Sequence, residues 1–449
     1  MSARELITQI ASEFTELSEV DSFEPVNTTE VTAGVDDPIA WPGYVLAHTA
    51  ASRRTGEQES VVVGEAVVGA TPAVLIVWEF GFLGGSIGRR TGDRVEAAFA
   101  HARARRLPVV SLIATGGSRM QHGMRALAQL QRIAAAAAAA RADGVAQISV
   151  LRDPTTGGGW ATLGAGADVI LGLPLAQVGF AGSRVRPATS PSEAYTAEAH
   201  YEWGQVDQLV PPDDLPATLA RWLQLVTARS VEPAPPPAAL RAVTPPETGW
   251  DAVRLARSSH RARAAEYLDA YFAWREPLRG DRTGHVDDGV LCGFGWHPDR
   301  AVAYAYAAQC GTATRPAGFR TAARLVRLAS RLGMPVLTLV DTPGAANDAD
   351  AEEAGVGPAI ADLFDAIASA TTPITTLVIG EGGSGGALAF AAPGNTWIAP
   401  DAYFSVTSPE AAAAILKRPL AQVPATADQL RLRPQDLVAL GLARGIVEP

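Results

Sequence analysis

The sequence is nearly free of lysine and cysteine. Lys417 is its one lysine, and Cys292 and Cys310 are its only cysteines. Swinging-arm prosthetic groups attach to a lysine on a tight turn, typically between two methionines, and AILKRPL around Lys417 is not of that type. Two cysteines cannot supply a four-thiolate zinc ribbon, and these two form no CxxC pair. We therefore expect neither a swinging-arm group on this chain nor a structural metal.

Other features that are missing exclude further classes of protein. No apolar run reaches the roughly 18–20 residues of a membrane span, and the N-terminus, MSARELITQIASEF, lacks the apolar core of a signal peptide. The net charge is −10 without a basic run, which argues against a nucleic-acid partner. A GxxxxGK[ST] phosphate loop is also absent. With 449 residues, 47% of them apolar, the sequence predicts a cytoplasmic, soluble protein with a large core.

Short apolar runs alternate with helix-prone stretches in both halves of the chain. This alternation is typical of α/β folds whose helices pack on a sheet. Residues 211–248 are rich in proline, which predicts a stiff, extended linker. We expect a lead-in over 1–45, a first domain over 46–230, a linker with a helix over 231–279, and a second domain over 280–449.

The two halves also repeat each other. LPVVSLIATGG (107–117) matches MPVLTLVDTPG (334–344) with an offset of about 227. Further on, Gly157-Gly158 falls on Gly385-Gly386 with an offset of about 228. Order, spacing and flanking residues agree, which indicates an internal duplication. Two unrelated β-turn-α units of similar composition are the alternative.

Each half contains a Gly-Gly corner after a strongly apolar run, at Gly116-Gly117 and at Gly385-Gly386. A backbone that turns sharply off a strand without a Cβ in the way can point its N–H groups into a cleft. Such N–H pairs are donors for a developing oxyanion, and removing one typically costs about 10²–10³ in rate. An ordinary strand-to-helix turn is the alternative at each corner, but the paired copy favours function. Two donor corners predict chemistry with two oxyanions.

These residues resemble the carboxyltransferase component of acetyl-CoA carboxylase. The first half is similar to its beta subunit in FGFLGGSIGRRTGDRV (80–95) and SLIATGGSRMQHG (111–123). The second half is similar to its alpha subunit in MPVLTLVDTPGA (334–345) and VIGEGGSGGALA (378–389). The resemblance implies an α/β fold of two tandem crotonase-like domains, each a β-β-α superhelix of the ClpP/crotonase type. The first domain would be beta-like and the second alpha-like, with the active site between two such domains.

The resemblance also implies a reaction. A carboxyl group would move between carboxybiotin and the α-carbon of an acyl thioester such as acetyl-CoA, giving a malonyl-type thioester for fatty acid or polyketide biosynthesis. One glycine pair would hold the thioester enolate oxygen and the other the ureido oxygen, and the sequence does not say which. Carboxybiotin would arrive on a separate biotin carboxyl carrier protein, with a biotin carboxylase as a further partner. Because each domain alone would expose an apolar face, we expect a homodimer or higher homo-oligomer.

Substrate contacts are predicted at Gly84-Gly85, Gly157-Gly158, Arg94 and Arg119. Gly84-Gly85 would line the acyl pocket or, alternatively, allow close strand packing. Each arginine would contact a phosphate of CoA or make a salt bridge on a helix surface. His122 stands where the family has a glutamate, and a helix-surface histidine is favoured there over an acid–base group.

The second half departs from the family pattern. AAQCGTATRPAGFRTA (307–322) lacks the usual basic stretch, and AND (346–348) replaces a tyrosine and a Pro-Gly. These losses leave open which acyl group is carried, and whether CoA or an acyl carrier protein carries it. Two rival functions remain: a biotin-independent decarboxylase of a malonyl-type thioester, and a catalytically silent homologue that scaffolds a multienzyme complex. The intact glycine pairs argue against the silent homologue.

Overall fold

The computed structural model describes residues 1–17 and 35–449. Residues 18–34, which belong to the predicted lead-in, lie outside the described residues. The chain divides into two compact units, Met1–Thr227 and Ala228–Pro449.

The first unit is built on one sheet, whose strands are rich in the β-branched residues that favour a pleated, buried surface. Its strands are β1 (Glu13–Glu16), β2 (Val61–Val68), β3 (Thr71–Trp78), β4 (Val109–Thr115), β5 (Gln147–Thr156), β6 (Val169–Gly172), β7 (Val178–Gly179) and β8 (Gln208–Leu209). The order across the sheet is β1-β2-β3-β4-β5-β6-β8, with β7 paired to β5. Strands β1 to β3 pair antiparallel, and the remaining pairs are parallel.

Helices cover this sheet. They are α1 (Ala3–Ile10), α2 (Tyr44–Thr55), α3 (Arg89–Arg105), α4 (Met124–Ala142), α5 (Gly157–Gly159), α6 (Ala197–Glu202) and α7 (Leu215–Thr227). Helix α5 continues directly into a π-helical turn, Trp160–Gly164. Helices α3 and α4 share a core with strands β2 to β6, in which Ile76, Phe99 and Ile133 are buried.

The second unit has a sheet of the same kind. Its strands are β9 (Trp274–Leu278), β10 (Val290–His297), β11 (Val302–Gln309), β12 (Val336–Thr342), β13 (Ile374–Gly383), β14 (Thr396–Ile398) and β15 (Tyr403–Ser405). The order is β14-β13-β12-β11-β10-β9, with β15 paired to β13. The helices are α8 (Gly249–Ala256), α9 (Ala264–Tyr271), α10 (Pro316–Leu332), α11 (Ala349–Glu353), α12 (Val356–Ala368), α13 (Ser384–Leu388), α14 (Pro409–Ile415), α15 (Val423–Gln429) and α16 (Pro434–Ala439).

The two sheets share one topology. In each, an antiparallel hairpin leads into parallel strands, and a short late strand pairs with the carboxyl end of a central one. Helices α3 and α10 both have 17 residues and begin 227 positions apart (316 − 89). Strands β4 and β12 begin at the same offset (336 − 109). The internal repeat inferred from the sequence is therefore present in the structure.

The proline-rich stretch 211–248 is not a free linker. Its first part folds as α7, which buries Trp222 in the first unit. Its later part runs along the second unit, where the Thr375 hydroxyl donates to the Ala234 carbonyl at 2.7 Å. An extended proline-rich chain has no internal hydrogen bonds, so its carbonyl groups are available to neighbouring donors. The predicted linker over 231–279 likewise contributes α8, α9 and the edge strand β9 to the second unit.

Candidate active site

Two segments of the first unit meet at the carboxyl ends of β4 and β5. One is the loop 116–118 after β4, and the other is the turn 157–159 that forms α5. Gly117 has φ +104° and Gly157 has φ +60°, conformations that only glycine adopts readily. A Cβ added to Gly157 would lie 3.2 Å from the Gly117 Cα, and the Thr156 hydroxyl donates to the Thr115 carbonyl at 3.1 Å, so the two segments lie side by side. The structure thus brings together two glycine pairs that are separate in sequence.

The N–H groups of Gly116 and Gly117 already have acceptors within the protein. Gly116 donates to the Gly84 carbonyl at 3.0 Å. Gly117 donates to Thr115 Oγ1 at 3.0 Å. In this structure both N–H groups of the first predicted donor pair therefore form bonds that shape the loop, and their role as oxyanion donors stays a prediction.

Gly85 is closely packed, as one of the two predicted alternatives requires, whereas Gly84 has no atom within 4 Å of an added Cβ. A place for these glycines in the acyl pocket stays a prediction. Both have positive φ values, +67° and +64°. A Cβ on Gly85 would lie 2.0 Å from the Ala114 carbonyl oxygen, so no side chain fits there. The Gly84 carbonyl accepts the Gly116 N–H, which fixes the loop after β4.

The turn after β5 contains N–H groups that its helix leaves without an acceptor. Gly158 and Gly159 are the second and third residues of a helix that begins at Gly157. The first N–H groups of a helix have no intrahelical partner, and no side chain caps this helix. The Gly157 N–H, by contrast, donates to the Phe180 carbonyl at 3.1 Å. The donors of this corner are therefore Gly158 and Gly159.

The second unit repeats this turn at the offset of 227. Ser384 begins α13 with φ +57°, as Gly157 begins α5 with φ +60°. Gly385 and Gly386 are then the second and third residues of the turn, again without a side-chain cap. They correspond to Gly158 and Gly159. The sequence comparison aligned Gly157-Gly158 with Gly385-Gly386, an offset of about 228. The structure aligns Gly157 with Ser384, because each opens its turn with a positive φ, and the offset is therefore 227.

A loop after β12 packs against this second turn. A Cβ on Gly386 would lie 2.4 Å from the Ala345 backbone nitrogen. The Gly344 N–H donates to Thr342 Oγ1 at 3.1 Å, which repeats the bond from Gly117 to Thr115. Gly344 and Ala345 are not among the predicted site residues, although the offset of 227 applied to Gly117 leads directly to Gly344.

Comparisons with known proteins agree with this duplicated arrangement. The family described as acetyl co-enzyme A carboxylase carboxyltransferase-like matches residues 241–449, and the carboxyl transferase domain family matches residues 45–206. The beta/alpha carboxyl transferase subunits of acetyl-coenzyme A carboxylase from Salinispora arenicola are 40% identical, over 92% of this chain and 77% of that protein. This chain belongs to the acetyl-CoA carboxylase carboxyltransferase family. A probable biotin-dependent acyl-coenzyme A carboxylase beta3 subunit from Mycobacterium bovis is 32% identical, over 92% of this chain and 85% of that protein.

Solved structures agree on the fold. Transcarboxylase 12S, crystallised with methylmalonyl-coenzyme A, matches with a TM-score of 0.77 and 20% identity, over 100% of this chain and 87% of that one. A single-chain, multi-domain long-chain acyl-CoA carboxylase matches with a TM-score of 0.77 and 21% identity, over 100% of this chain and 44% of that one. With the two family matches, these structures confirm the predicted α/β fold of tandem crotonase-like domains.

Arg119 of this carboxyltransferase lies under the first loop, not in a substrate pocket. Its side chain is 1% exposed and pairs with both carboxylate oxygens of Glu59, one of them at 3.1 Å. It also donates to the Tyr44 hydroxyl at 3.2 Å and to the Ser86 carbonyl at 2.9 Å. Burial would raise the pKa of Glu59, but the Arg119 charge and hydrogen bonds outweigh it and lower the pKa to about 2. The predicted contact of Arg119 with substrate is therefore corrected to a buried ion pair.

His122 is buried too, which corrects the expectation of a helix-surface histidine. Its Nδ1 accepts the Arg89 N–H at 3.3 Å, and its Nε2 lies 2.9 Å from the Tyr44 hydroxyl oxygen. Burial, with the nearby charge of Arg119, lowers the pKa of His122 to about 4. The ring is therefore neutral near pH 7. With Nδ1 accepting, the proton is assigned to Nε2, which donates to Tyr44.

Two arginines in the first two turns of α3 are bonded to neighbouring parts of the protein. Arg94 Nη1 donates to the Val61 carbonyl at 3.0 Å, and Arg89 pairs with Asp36 at 2.9 Å. Both side chains are partly exposed, so contact of Arg94 with a phosphate remains a prediction.

Asp341 forms a buried ion pair in the second unit. It is fully buried near the carboxyl end of β12, and both its oxygens accept from Arg261 Nη2, at 2.6 and 2.7 Å. The Glu381 N–H donates to it at 3.2 Å. These bonds tie β12 to β13, the two strands that lead into the second donor turn.

Within residues 1–17 and 35–449, no group of three or more His, Cys, Asp or Glu side chains is arranged to hold a metal ion. Cys292 is buried, which raises its thiol pKa to about 12. Among the helices of these same residues, none has both the length and the apolar character that crossing a membrane requires.

Proposed function

We propose that this chain moves a carboxyl group between carboxybiotin and the α-carbon of an acyl thioester, giving a malonyl-type thioester. The observation that carries the proposal is the same N–H donor turn in both units, at Gly158-Gly159 and at Gly385-Gly386. One donor set would hold the enolate oxygen of the thioester, and the other the ureido oxygen of the biotin. The names of the relatives, which are carboxyl transferase subunits, support this reaction class.

Backbone donors suit this chemistry. The α-proton of a thioester is weakly acidic, so its enolate needs donors that are already in place in a site that excludes water. The N–H groups of a helical turn that directly follows a strand are held in place by the strand. They therefore need no reorganisation during the reaction. Carboxybiotin, when bound, supplies the activated carboxyl group. A side-chain nucleophile is not required.

Within the proposal, Gly116 and Gly117 support the donors instead of donating. The positive φ of Gly117, +104°, which a residue with a side chain rarely adopts, allows the loop after β4 to lie against the turn after β5. The bonds from Gly116 to Gly84 and from Gly117 to Thr115 keep the loop in that position. Replacing Gly117, or removing the Gly116 N–H with proline, would then lower the rate by moving Gly158 and Gly159.

We further propose the source of each substrate. The acyl group would arrive on CoA or on an acyl carrier protein, and carboxybiotin on a separate biotin carboxyl carrier protein charged by a biotin carboxylase. The segment around Lys417, which does not resemble a biotin attachment site, supports a separate carrier. Met1–Thr227 would act as the beta-like domain and Ala228–Pro449 as the alpha-like domain.

The experiment that tests the proposal follows CO₂ release from malonyl-CoA and from a malonyl carrier protein, each with and without free biotin. Release that requires biotin is the expected result. Release that does not require biotin would contradict the proposal and would indicate a biotin-independent decarboxylase of a malonyl-type thioester. A folded protein that releases CO₂ under none of these conditions, and does not exchange a thioester α-proton, would indicate the silent scaffold.

A further inference from the structure

Three fully buried polar side chains lie under the donor turn of the second unit. Gln309 ends β11, Thr314 precedes α10, and Thr342 ends β12, and each is 0% exposed. Burying a polar side chain is unfavourable unless it forms hydrogen bonds. The partners of these three residues therefore indicate what they hold in place.

Their hydrogen bonds join the turn after β13 to the loop after β12. Gln309 Nε2 donates to the Gly386 carbonyl at 3.1 Å and to Thr314 Oγ1 at 3.0 Å. Thr314 Oγ1 lies 3.4 Å from Thr342 Oγ1, which in turn accepts the Gly344 N–H at 3.1 Å. One continuous network thus contacts both segments that pack together at the second donor turn.

The fold alone does not require this network. In the first unit, Ile87 pairs with the loop after β4 as Thr314 pairs with the loop after β12. Trp78 ends β3 there, as Gln309 ends β11. Ile87 and Trp78 thus stand where the second unit has Thr314 and Gln309, whereas the equivalent of Thr342 is Thr115. In addition, Gln309 Oε1 is buried without a hydrogen-bond partner among the described residues, which is unfavourable for stability. The Gln309 amide thus lowers the stability of the fold through this buried Oε1, and the same fold forms without an amide at the equivalent position. Both observations indicate that the amide serves the site.

We infer that Gln309 is a positioning residue that sets the orientation of the Gly385 and Gly386 N–H donors through its bond to the Gly386 carbonyl. The inference rests on the proposed function of this turn. Anchoring the Gly386 carbonyl fixes the peptide groups of the turn, and the Thr314 bond couples them to the loop at Ala345. A small displacement of a preorganised donor lowers the rate steeply.

Gln309→Met tests this role, because methionine has a similar length and cannot donate a hydrogen bond. We expect kcat to fall about tenfold or more, with KM within about twofold, since the donors act on the transition state. The matched control is Thr338→Val. Thr338 is buried in β12, and its hydroxyl bonds Thr376 Oγ1 at 2.6 Å, away from the turn. We expect the control to lower Tm comparably and to leave kcat unchanged.

Gln309→Glu supplies a readout that a purely structural role would not change. Burial would raise the pKa of a carboxyl group at this position. Below that pKa the protonated carboxyl can donate to the Gly386 carbonyl, and above it the carboxylate repels the same oxygen. The kcat of this variant relative to wild type should therefore fall as pH rises. The relative kcat of Gln309→Met should not change with pH.

The outcomes separate this inference from the proposed function. If Gln309→Met loses no more Tm than Thr338→Val and keeps the wild-type kcat, the inference is overturned and the proposed function stands. If Gln309→Met does not fold, the pH series of Gln309→Glu decides, and failure of both variants to fold overturns the inference in favour of a structural role. If wild type shows neither biotin-dependent CO₂ release nor α-proton exchange, both fail together.

Discussion

Gly386 and Ala345 are in direct contact in the second unit, where a Cβ on Gly386 would lie 2.4 Å from the Ala345 nitrogen. In the first unit the equivalent glycine is equally confined, because a Cβ on Gly159 would lie 2.3 Å from Thr115 Cγ2. The third residue of each donor turn is therefore held against the preceding strand or loop. Gly385, one residue earlier, has no atom within 4 Å of an added Cβ.

Alanine substitutions at these neighbouring glycines should thus differ. In Gly386→Ala the new methyl group meets backbone atoms that cannot move cheaply, which should cost about 1–3 kcal/mol of stability. We expect kcat to fall by about 10² as the turn shifts. Gly385→Ala should fold with a Tm near that of wild type, because its Cβ faces open space. Thermal unfolding and CO₂ release measure both effects, and equal Tm values for the two variants would contradict the contact.

Replacing a peptide N–H by an ester oxygen should identify the oxyanion donors directly. An α-hydroxy acid at Gly158 or Gly385 removes one N–H group and adds no side chain. Each ester should lower full carboxyl transfer by about 10²–10³. Exchange of the thioester α-proton should fail with one ester only, and that result would assign the enolate to one unit.

The matched control for the esters is Gly357, the second residue of α12, which also has open space around it. Its N–H also lies in the first turn of a helix, away from the donor turns. An ester there should leave transfer unchanged. Loss of transfer with all three esters would show a general effect on folding, and normal transfer with the esters at Gly158 and Gly385 would refute the donor assignment.

The Glu59–Arg119 pair predicts acid sensitivity of the first unit. The pKa of Glu59 is lowered from an ordinary 4.5 to about 2. Its contribution to stability is therefore complete above pH 4.5 and is lost as pH falls through about 2. That contribution is on the order of 3 kcal/mol, from about 1.4 kcal/mol for each pH unit. Urea unfolding at pH 5 and at pH 2.5 should show the loss in wild type.

The Glu59→Gln variant is the control for this acid sensitivity. It leaves the Arg119 charge buried and unpaired, so it should be less stable by about 3–5 kcal/mol at pH 7. Below pH 4.5 the difference from wild type should narrow, because Glu59 then becomes protonated in the wild-type unfolded state. A difference that stays constant between pH 7 and 2.5 would contradict the low pKa.

His122 titrates in a higher pH window. Its pKa in the folded protein is lowered from 6.5 to about 4, so the unfolded chain takes up a proton first as the pH falls. Stability from this group is complete above pH 6.5 and decreases towards pH 4. His122→Gln should remove that part of the pH dependence of unfolding. A pH–rate profile that keeps the same pKa values in His122→Gln would confirm that His122 is not an acid–base catalyst.

Exposed apolar side chains near the two segments that form the first site predict self-association. Met120, Met124 and Phe180 are 73%, 74% and 75% exposed. The Phe180 carbonyl accepts from Gly157, so Phe180 adjoins the donor turn, and Met120 and Met124 follow the loop after β4. We expect light scattering to show a homodimer or larger homo-oligomer, and Met124→Glu to dissociate it with loss of activity. Val231→Glu is the control, since Val231 is 85% exposed at the start of the second unit. A fully active wild-type monomer would contradict this prediction.

Much of the fold could be predicted because strong local patterns agree with it. The matched runs LPVVSLIATGG (107–117) and MPVLTLVDTPG (334–344) contain the equivalent strands Val109–Thr115 and Val336–Thr342. The repeated strand-and-glycine pattern located both corners of the site. The stretch 211–248 was predicted as a linker, but it packs against the two units. Proline content indicates how stiff the chain is, and it does not indicate which surface the carbonyl groups of the chain will contact.

The amino-acid sequence by itself determined the duplication, the family and the glycines that permit two sharp turns. Only the tertiary structure decided which N–H groups those turns leave available. Gly116 and Gly117 look like the donors in sequence, yet their N–H groups are bound by Gly84 and Thr115. A hydrogen-bond acceptor is chosen by proximity in space, so a residue 32 positions earlier (116 − 84) can satisfy a donor that local sequence leaves open. For the same reason, Arg119 and its partner Glu59 were recognisable as a buried pair only once the strands had come together.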